Sequence, residues 1–114
     1  MQDERLVATR TVVAAWPHGE EFELTLGVGQ PYEISEHEWA CPVLMRGLHD
    51  ELRDTHGADS WQAHQLAQRL IAQLLGYFVH DGGKLLWPES RELMSLADVF
   101  PQLAPQASEP PHAA

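Results

Sequence analysis

The sequence predicts an α+β fold, in which a small antiparallel sheet of about four strands carries one long amphipathic helix on one face. Two observations predict it: strand-type alternation over residues 21–28 and helix-type spacing of apolar residues over residues 63–79. The chain has 114 residues, of which 44% are apolar, and this composition suits one packed core. We therefore expect a single domain over residues 1–100.

Three segments have strand character. Over residues 21–28, acidic or hydroxyl side chains alternate with apolar ones, which is the period of a half-buried strand. Residues 6–16 are rich in Val and Thr, and the turn-type residues 17–20 follow them, so the two segments should form an antiparallel hairpin. A third extended segment is expected over residues 39–48, where Pro42 indicates an edge position or an irregular start.

The helix is predicted over residues 60–81. Apolar residues recur every three or four positions from residue 63 to residue 79, which places them on one stripe of a helix. Asp59 and Gln62 occupy the positions of an N-cap and its reciprocal partner, and Gly82-Gly83 should end the helix.

The helix stripe is expected to pack on the apolar side of residues 22–28, with Leu70 and Leu74 in the contact. Residues 84–87 are predicted to form a short strand that returns along the sheet, and residues 93–100 fit either helix or strand. The last 14 positions, residues 101–114, contain four prolines and little apolar bulk, so we expect a disordered tail there.

Three sequence features resemble a known family. They are the helix-opening run GADSWQAHQLAQRLI at residues 57–71, the segment Trp39-Ala40-Cys41-Pro42, and the Gly-rich turn with its apolar strand at residues 82–87. The pattern G-x-D-S-x-Q-A-x-x-L-A-x-x-L-I is similar to that of a family of small uncharacterised bacterial domains. The resemblance implies an α+β architecture and a bacterial source, and it assigns no activity and no catalytic residue.

Charge limits the classes of partner. The net charge is −10, from 17 acidic residues against 7 Lys and Arg, and residues 18–59 alone hold ten acids and two arginines. Binding to nucleic acid is disfavoured, because that affinity depends on cations that pair with phosphates. A basic protein is the better electrostatic match, although an acidic surface also serves solubility alone.

The run EISEHEW at residues 33–39 concentrates three carboxylates. We expect it in a loop at one end of the sheet, as an acidic lip for a basic protein partner. The candidate partner-binding residues are Glu33, Glu36, Glu38, Trp39, Asp50, Glu51 and Asp54. Trp39 fits either an interface anchor or a core position, and Trp61 has the same two interpretations.

Catalytic and metal-binding patterns are weak. The seven histidines include no H-E-x-x-H pair, and no serine lies in a G-x-S-x-G elbow. His49, Asp50, Asp54 and His56 form the best candidate ligand set, which is the basis of an alternative hypothesis of a metal-dependent enzyme. Cys41 fits a small buried hydrophobe. We assign no catalytic residue, metal ligand or cofactor.

The leading functional hypothesis is a non-enzymatic inhibitor of the immunity or antitoxin type, which neutralises a basic bacterial toxin. A self-associating scaffold domain is a further alternative, and the oligomeric state stays open. The acidic N-terminus is not followed by an apolar run of the signal-peptide type, and the apolar stretch at residues 66–79 is too short to span a bilayer. We expect a cytoplasmic protein without a membrane partner.

Overall fold

The computed structural model describes residues 5–103 and has an α+β fold with two antiparallel sheets and one long helix. The strands, in chain order, are β1 Leu6–Ala15, β2 Glu21–Gly29, β3 Tyr32–Ser35, β4 Glu38–Cys41, β5 Val43–Arg46, β6 Thr55–Gly57, β7 Lys84–Leu86 and β8 Leu93–Met94. The helices are α1 Ser60–His80 and α2 Leu96–Val99, and a 3-10 turn follows at Pro101–Leu103. The predicted fold class is confirmed. Residues 5–103 contain eight strands instead of the expected four, and six of the eight have only two to four residues.

The first sheet has the strand order β5-β2-β1-β7-β8. β1 and β2 form the predicted hairpin, in which Val12 lies opposite Leu24 and Thr11 lies opposite Thr25. Val12 and Leu24 are fully buried against α1, whereas the two threonines point to the other face, where their hydroxyl oxygens are 3.1 Å apart. The alternation read from the sequence therefore sets which side of the sheet meets the helix.

The second sheet has the order β3-β4-β6, and Pro42 separates it from the first. The predicted strand over residues 39–48 is in fact two strands: β4 pairs with β3 and β6, whereas β5 pairs with β2. Proline has no backbone N–H to donate to a ladder, so the chain changes sheets at this position.

The prediction of a loop for EISEHEW is wrong. Glu33 lies opposite Trp39 and Ser35 lies opposite Glu38, so the motif is a β-hairpin closed by a turn at Glu36 and His37. The hairpin could not be recognised from the sequence, because its charged residues break the alternation expected of a half-buried strand. The edge strand β3 tolerates such charges, and Glu38, on the central strand β4, pairs with His56.

The helix was predicted almost to the residue. The Asp59 side chain accepts a 2.8 Å hydrogen bond from the Gln62 amide, and the Gln62 side chain accepts one of 2.7 Å from the Ala58 amide. The fully or nearly buried helix residues are Ala63, Ala67, Ile71, Leu75 and Phe78. All five lie on the apolar stripe read from the sequence, whereas Leu70 and Leu74, which were expected in the contact, are only half-buried against the core.

The C-terminal part closes the first sheet. β7 returns beside β1, with Leu86 opposite Val13, as predicted. Residues 93–100 contain both of the elements considered for them, β8 and then α2. The expected tail starts at Pro101, which opens the 3-10 turn, and residues 104–114 lie outside the described residues. Among residues 5–103, no helix has both the length and the hydrophobicity needed to cross a membrane.

Candidate functional site

The β3–β4 hairpin carries the acidic motif at the surface. Each of residues 32–37 is exposed, whereas Ala40 and Cys41, at the end of β4, are fully buried. One end of the hairpin is therefore fixed in the body of the protein, and its turn is open to solvent.

A three-residue cluster holds the base of the hairpin. Oδ2 of Asp54 accepts a 2.6 Å hydrogen bond from the Tyr32 hydroxyl and a 2.8 Å bond from Nη2 of Arg5. The Arg5 guanidinium also lies over the Tyr32 ring, 5.2 Å from its centroid. The hydrogen bonds to Asp54 raise the pKa of both Tyr32 and Arg5. Asp54 thus fixes β3 to the start of β1 and presents little free charge of its own.

Glu38 is also paired. Its Oε2 lies 2.8 Å from Nδ1 of His56 on the neighbouring strand β6. Both side chains are about half exposed, so the pair lies on the solvent face of the second sheet. Exposed pairs of this kind fix side-chain positions more than they stabilise the fold.

Glu33 and Glu36 differ from Asp54 and Glu38 in their contacts. Both are exposed, and within residues 5–103 neither forms an ion pair with a lysine or arginine. The nearest basic group to Glu36 is Nε2 of its neighbour His37, at 3.9 Å, and both side chains are almost completely solvated. These two carboxylates are thus available to an external cation.

A partly apolar hollow lies at the base of the hairpin. Its volume is about 550 Å³, and its lining is Arg5, Val7, Gln30, Pro31 and Tyr32. The Val7 side chain is 62% exposed, and Ile34, on the hairpin, is 47% exposed. Apolar groups next to unpaired charges are typical of protein interfaces, in which a hydrophobic centre has a polar rim.

The structure brings together only part of the predicted partner-binding set. Glu33, Glu36, Glu38 and Asp54 lie on or beside the hairpin. Asp50 and Glu51 belong to the turn after β5, where Asp50 accepts a 2.8 Å hydrogen bond from the Gly47 amide. This turn lies against Glu23, near the start of β2, whereas the hairpin follows the end of β2. The acids of residues 18–59 are therefore divided between two ends of the sheet.

The two tryptophans have different environments. Trp39 is half-buried and packs against the hydrophobic core, so it is not a free interface anchor. Trp61 is 73% exposed on the first turn of α1. No sequence pattern pointed to Arg5, Val7 or Tyr32, because the contact between Arg5 and Asp54 joins residues 49 positions apart.

The candidate metal ligands do not form a common site. Asp54 is bonded to Arg5 and Tyr32, and His56 to Glu38. In the described range 5–103, no three His, Cys, Asp or Glu side chains are arranged to hold a metal ion. Cys41 is buried, as predicted, and burial raises the pKa of its thiol, which disfavours the reactive thiolate.

The fold and the surface together define a small α+β domain whose acidic hairpin lies beside a partly apolar hollow. The model of a family described as a domain of unknown function, DUF6968, matches residues 8–96, and the chain belongs to that family. The match runs from β1 to the first residue of α2 and includes the helix-opening motif, so the expected membership of an uncharacterised domain family is confirmed. Comparison with curated proteins and with solved structures gave no match.

Proposed function

We propose that the protein is a non-enzymatic inhibitor of the immunity or antitoxin type, which binds a basic bacterial toxin through the β3–β4 hairpin. The observation that carries the proposal is the exposure of Glu33 and Glu36 without a lysine or arginine partner in residues 5–103, next to the exposed apolar residues Tyr32 and Ile34. We place the encounter in the cytoplasm.

Electrostatics supports a cationic partner. A chain of net charge −10 attracts a basic protein over several ångströms, and complementary charge mainly accelerates the encounter and excludes wrong partners. Binding energy after the encounter comes chiefly from apolar groups that become buried. In this proposal, the hollow beside Val7 and Tyr32 takes an apolar side chain of the toxin, and the hairpin carboxylates contact lysine or arginine at the rim.

Rigidity of the hairpin base also supports the proposal. Tyr32 is held by Asp54, and Glu38 is held by His56, so the strands that carry Glu33 and Glu36 are already ordered in the free protein. A surface that is ordered before binding loses less conformational entropy in the complex. The contacts of Asp54 and of Glu38 are therefore assigned a supporting role, and the unpaired carboxylates are assigned the contact with the partner.

The test is co-expression with the basic protein encoded by a neighbouring gene, followed by measurement of the dissociation constant of the purified pair. We expect the double variant Glu33→Gln, Glu36→Gln to bind roughly tenfold more weakly, because it loses two rim charges worth up to about 1 kcal/mol each. The matched control, Glu89→Gln, Glu92→Gln, removes the same charge from other exposed positions. Equal affinity of the two variants, or no complex with the wild type, contradicts the proposal.

A further inference from the structure

A second hollow, the sheet–helix hollow, lies between the first sheet and α1. Its volume is about 270 Å³, and its lining combines core residues with polar ones, among them Leu26, Val28, Ile71, Phe100, Arg10 and Gln68. The four apolar residues in this set are each more than nine-tenths buried, so the hollow reaches the edge of the core. It shares no lining residue with the hollow at the base of the hairpin.

The sequence of β1 explains why the core is open here. Alternate residues of a strand point to the same side of the sheet, and Val12 is fully buried on the side of α1. Arg10 and Ala8 continue this alternation, opposite the buried residues Leu26 and Val28 of β2. Ala8 is too short to fill the space, and the charge of Arg10 is costly to bury. Two positions that would otherwise close the core therefore leave it open.

Arg10 is held at the hollow by two uncharged groups. Its Nη1 donates a 2.8 Å hydrogen bond to the backbone carbonyl of Asp98, and its guanidinium lies over the Trp87 ring, 5.3 Å from the centroid. The Asp98 carboxylate instead accepts a 2.9 Å hydrogen bond from the Ser95 amide. Within residues 5–103, no carboxylate forms an ion pair with Arg10. A guanidinium has five N–H donors, so Arg10 has further donors to offer to a ligand.

We infer that the sheet–helix hollow binds a small molecule with an apolar body and one carboxylate group. The body would cover Ile71 and Phe100, and the carboxylate would pair with Arg10. Charge selects this class of ligand. The chain has 17 acidic residues against 7 Lys and Arg, yet among the described residues that line the hollow one is a base and none is an acid. A carboxylate can also accept two parallel hydrogen bonds from one guanidinium, which fixes its orientation.

The size of the hollow limits the ligand. Pockets for drug-sized molecules measure about 300 to 1,000 Å³, so a hollow just below this range suits a ligand of about ten non-hydrogen atoms. So few atoms give a weak complex, and we expect a dissociation constant on the order of 1 mM. The inference goes beyond the proposed function and is independent of it, because no residue that lines the hollow belongs to β3 or β4.

Titration of the isotope-labelled full chain with sodium octanoate, followed by amide chemical shifts in NMR spectra, tests the inference. Octanoate is an aliphatic carboxylate of the expected size. The wild type should show saturable shifts at the amides around the hollow, which include those of Ala8, Ile71 and Phe100. Octanamide has the same shape without the charge and should cause much smaller shifts at equal concentration. Octylamine, which carries the opposite charge, should cause none at these amides.

Two variants test the role of Arg10. Arg10→Gln can still donate a hydrogen bond to the Asp98 carbonyl but has no charge, so its affinity for octanoate should fall about tenfold and its preference for octanoate over octanamide should disappear. The control Arg53→Gln removes the same charge from an exposed residue outside the hollow and should bind octanoate like the wild type. Circular dichroism spectra show whether both variants are folded, and the comparison of the three ligands on the wild type needs neither variant.

Four results would overturn the inference. The first is the absence of saturable shifts up to about 10 mM octanoate, which is tenfold above the expected dissociation constant. The second is equal binding of octanoate and octanamide by the wild type, and the third is equal affinity of the Arg10 and Arg53 variants for octanoate. The fourth is a set of shifts centred on Tyr32, which would place the ligand in the hollow at the base of the hairpin. The proposed binding of a basic protein by Glu33 and Glu36 is measured separately, so the two proposals fail separately.

Discussion

The Tyr32 hydroxyl donates a 2.6 Å hydrogen bond to Oδ2 of Asp54, 22 residues further along the chain. This contact joins the first residue of β3 to the residue before β6, and Arg5 binds the same carboxylate oxygen from the start of β1. The Asp54 carboxylate thus joins three segments that are far apart in the sequence. Asp54 thereby links the base of the acidic hairpin to the start of the first sheet.

The first prediction concerns the ionisation of Tyr32. Asp54 raises its pKa, chiefly through the hydrogen bond, so Asp54→Asn should shift its ionisation to lower pH. Because the pKa is raised in the folded state, the stabilisation is complete below about pH 10, the unfolded value, and is lost as the pH rises through the folded pKa. Absorbance at the tyrosinate band during alkaline titration measures the shift, and Tyr32→Phe identifies the Tyr32 component. Superimposable curves for wild type and Asp54→Asn would show that the contact is not formed.

Replacement by alanine should destabilise the protein at Gly57 and stabilise it at Gly76. A Cβ at Gly57 would lie 2.6 Å from the backbone nitrogen of Ala63, so the close packing of β6 on α1 would have to open, at a cost of about 1 to 3 kcal/mol. A Cβ at Gly76, inside α1, meets nothing within 4 Å, and Gly76→Ala should stabilise the helix by about 0.5 to 1 kcal/mol. Urea unfolding of both variants checks the pair. A Gly57→Ala protein as stable as the wild type would mean that β6 does not pack against the first turn of the helix.

The helix face that forms the core can be tested by truncation. Leu75 is fully buried and Leu70 is half-buried. Leu75→Ala should lower the free energy of unfolding by about 2 to 5 kcal/mol, whereas Leu70→Ala should cost about 1 kcal/mol. For a domain of this size, each 1 kcal/mol moves the melting temperature by about 5 °C, so calorimetry separates the two variants. A lower melting temperature for Leu70→Ala than for Leu75→Ala would contradict the assignment of Leu75 to the centre of the core.

Long periodic segments were the predictable part of this fold. The helix repeats its apolar spacing over five turns and has a recognisable cap at Asp59, and the β1–β2 hairpin repeats its alternation over eight residues. Local pattern is sufficient in such segments, because every residue supports the same assignment. The short strands on either side of Pro42 carry too few residues to define a period, so their division between two sheets was missed.

The candidate site was only partly predictable, for a different reason. The sequence identified Glu33, Glu36 and Glu38 as a group because they are neighbours in the chain. It also grouped Asp50 and Glu51 with them, although the turn that contains these two residues lies against Glu23, at the other end of the sheet from the hairpin. Whether a charge is free or paired depends on contacts such as Arg5 with Asp54, which no spacing in the sequence reveals.

The salt dependence of binding tests the central claim most directly. The claim is that the unpaired carboxylates of Glu33 and Glu36 attract a basic protein partner. The screening length falls from about 10 Å at 0.1 M salt to about 3 Å at 1 M, so the attraction should weaken strongly over this range. We predict that the dissociation constant of the wild-type complex rises steeply with salt and that the Glu33→Gln, Glu36→Gln variant shows a much shallower rise. A wild-type affinity that does not change with salt would contradict the account.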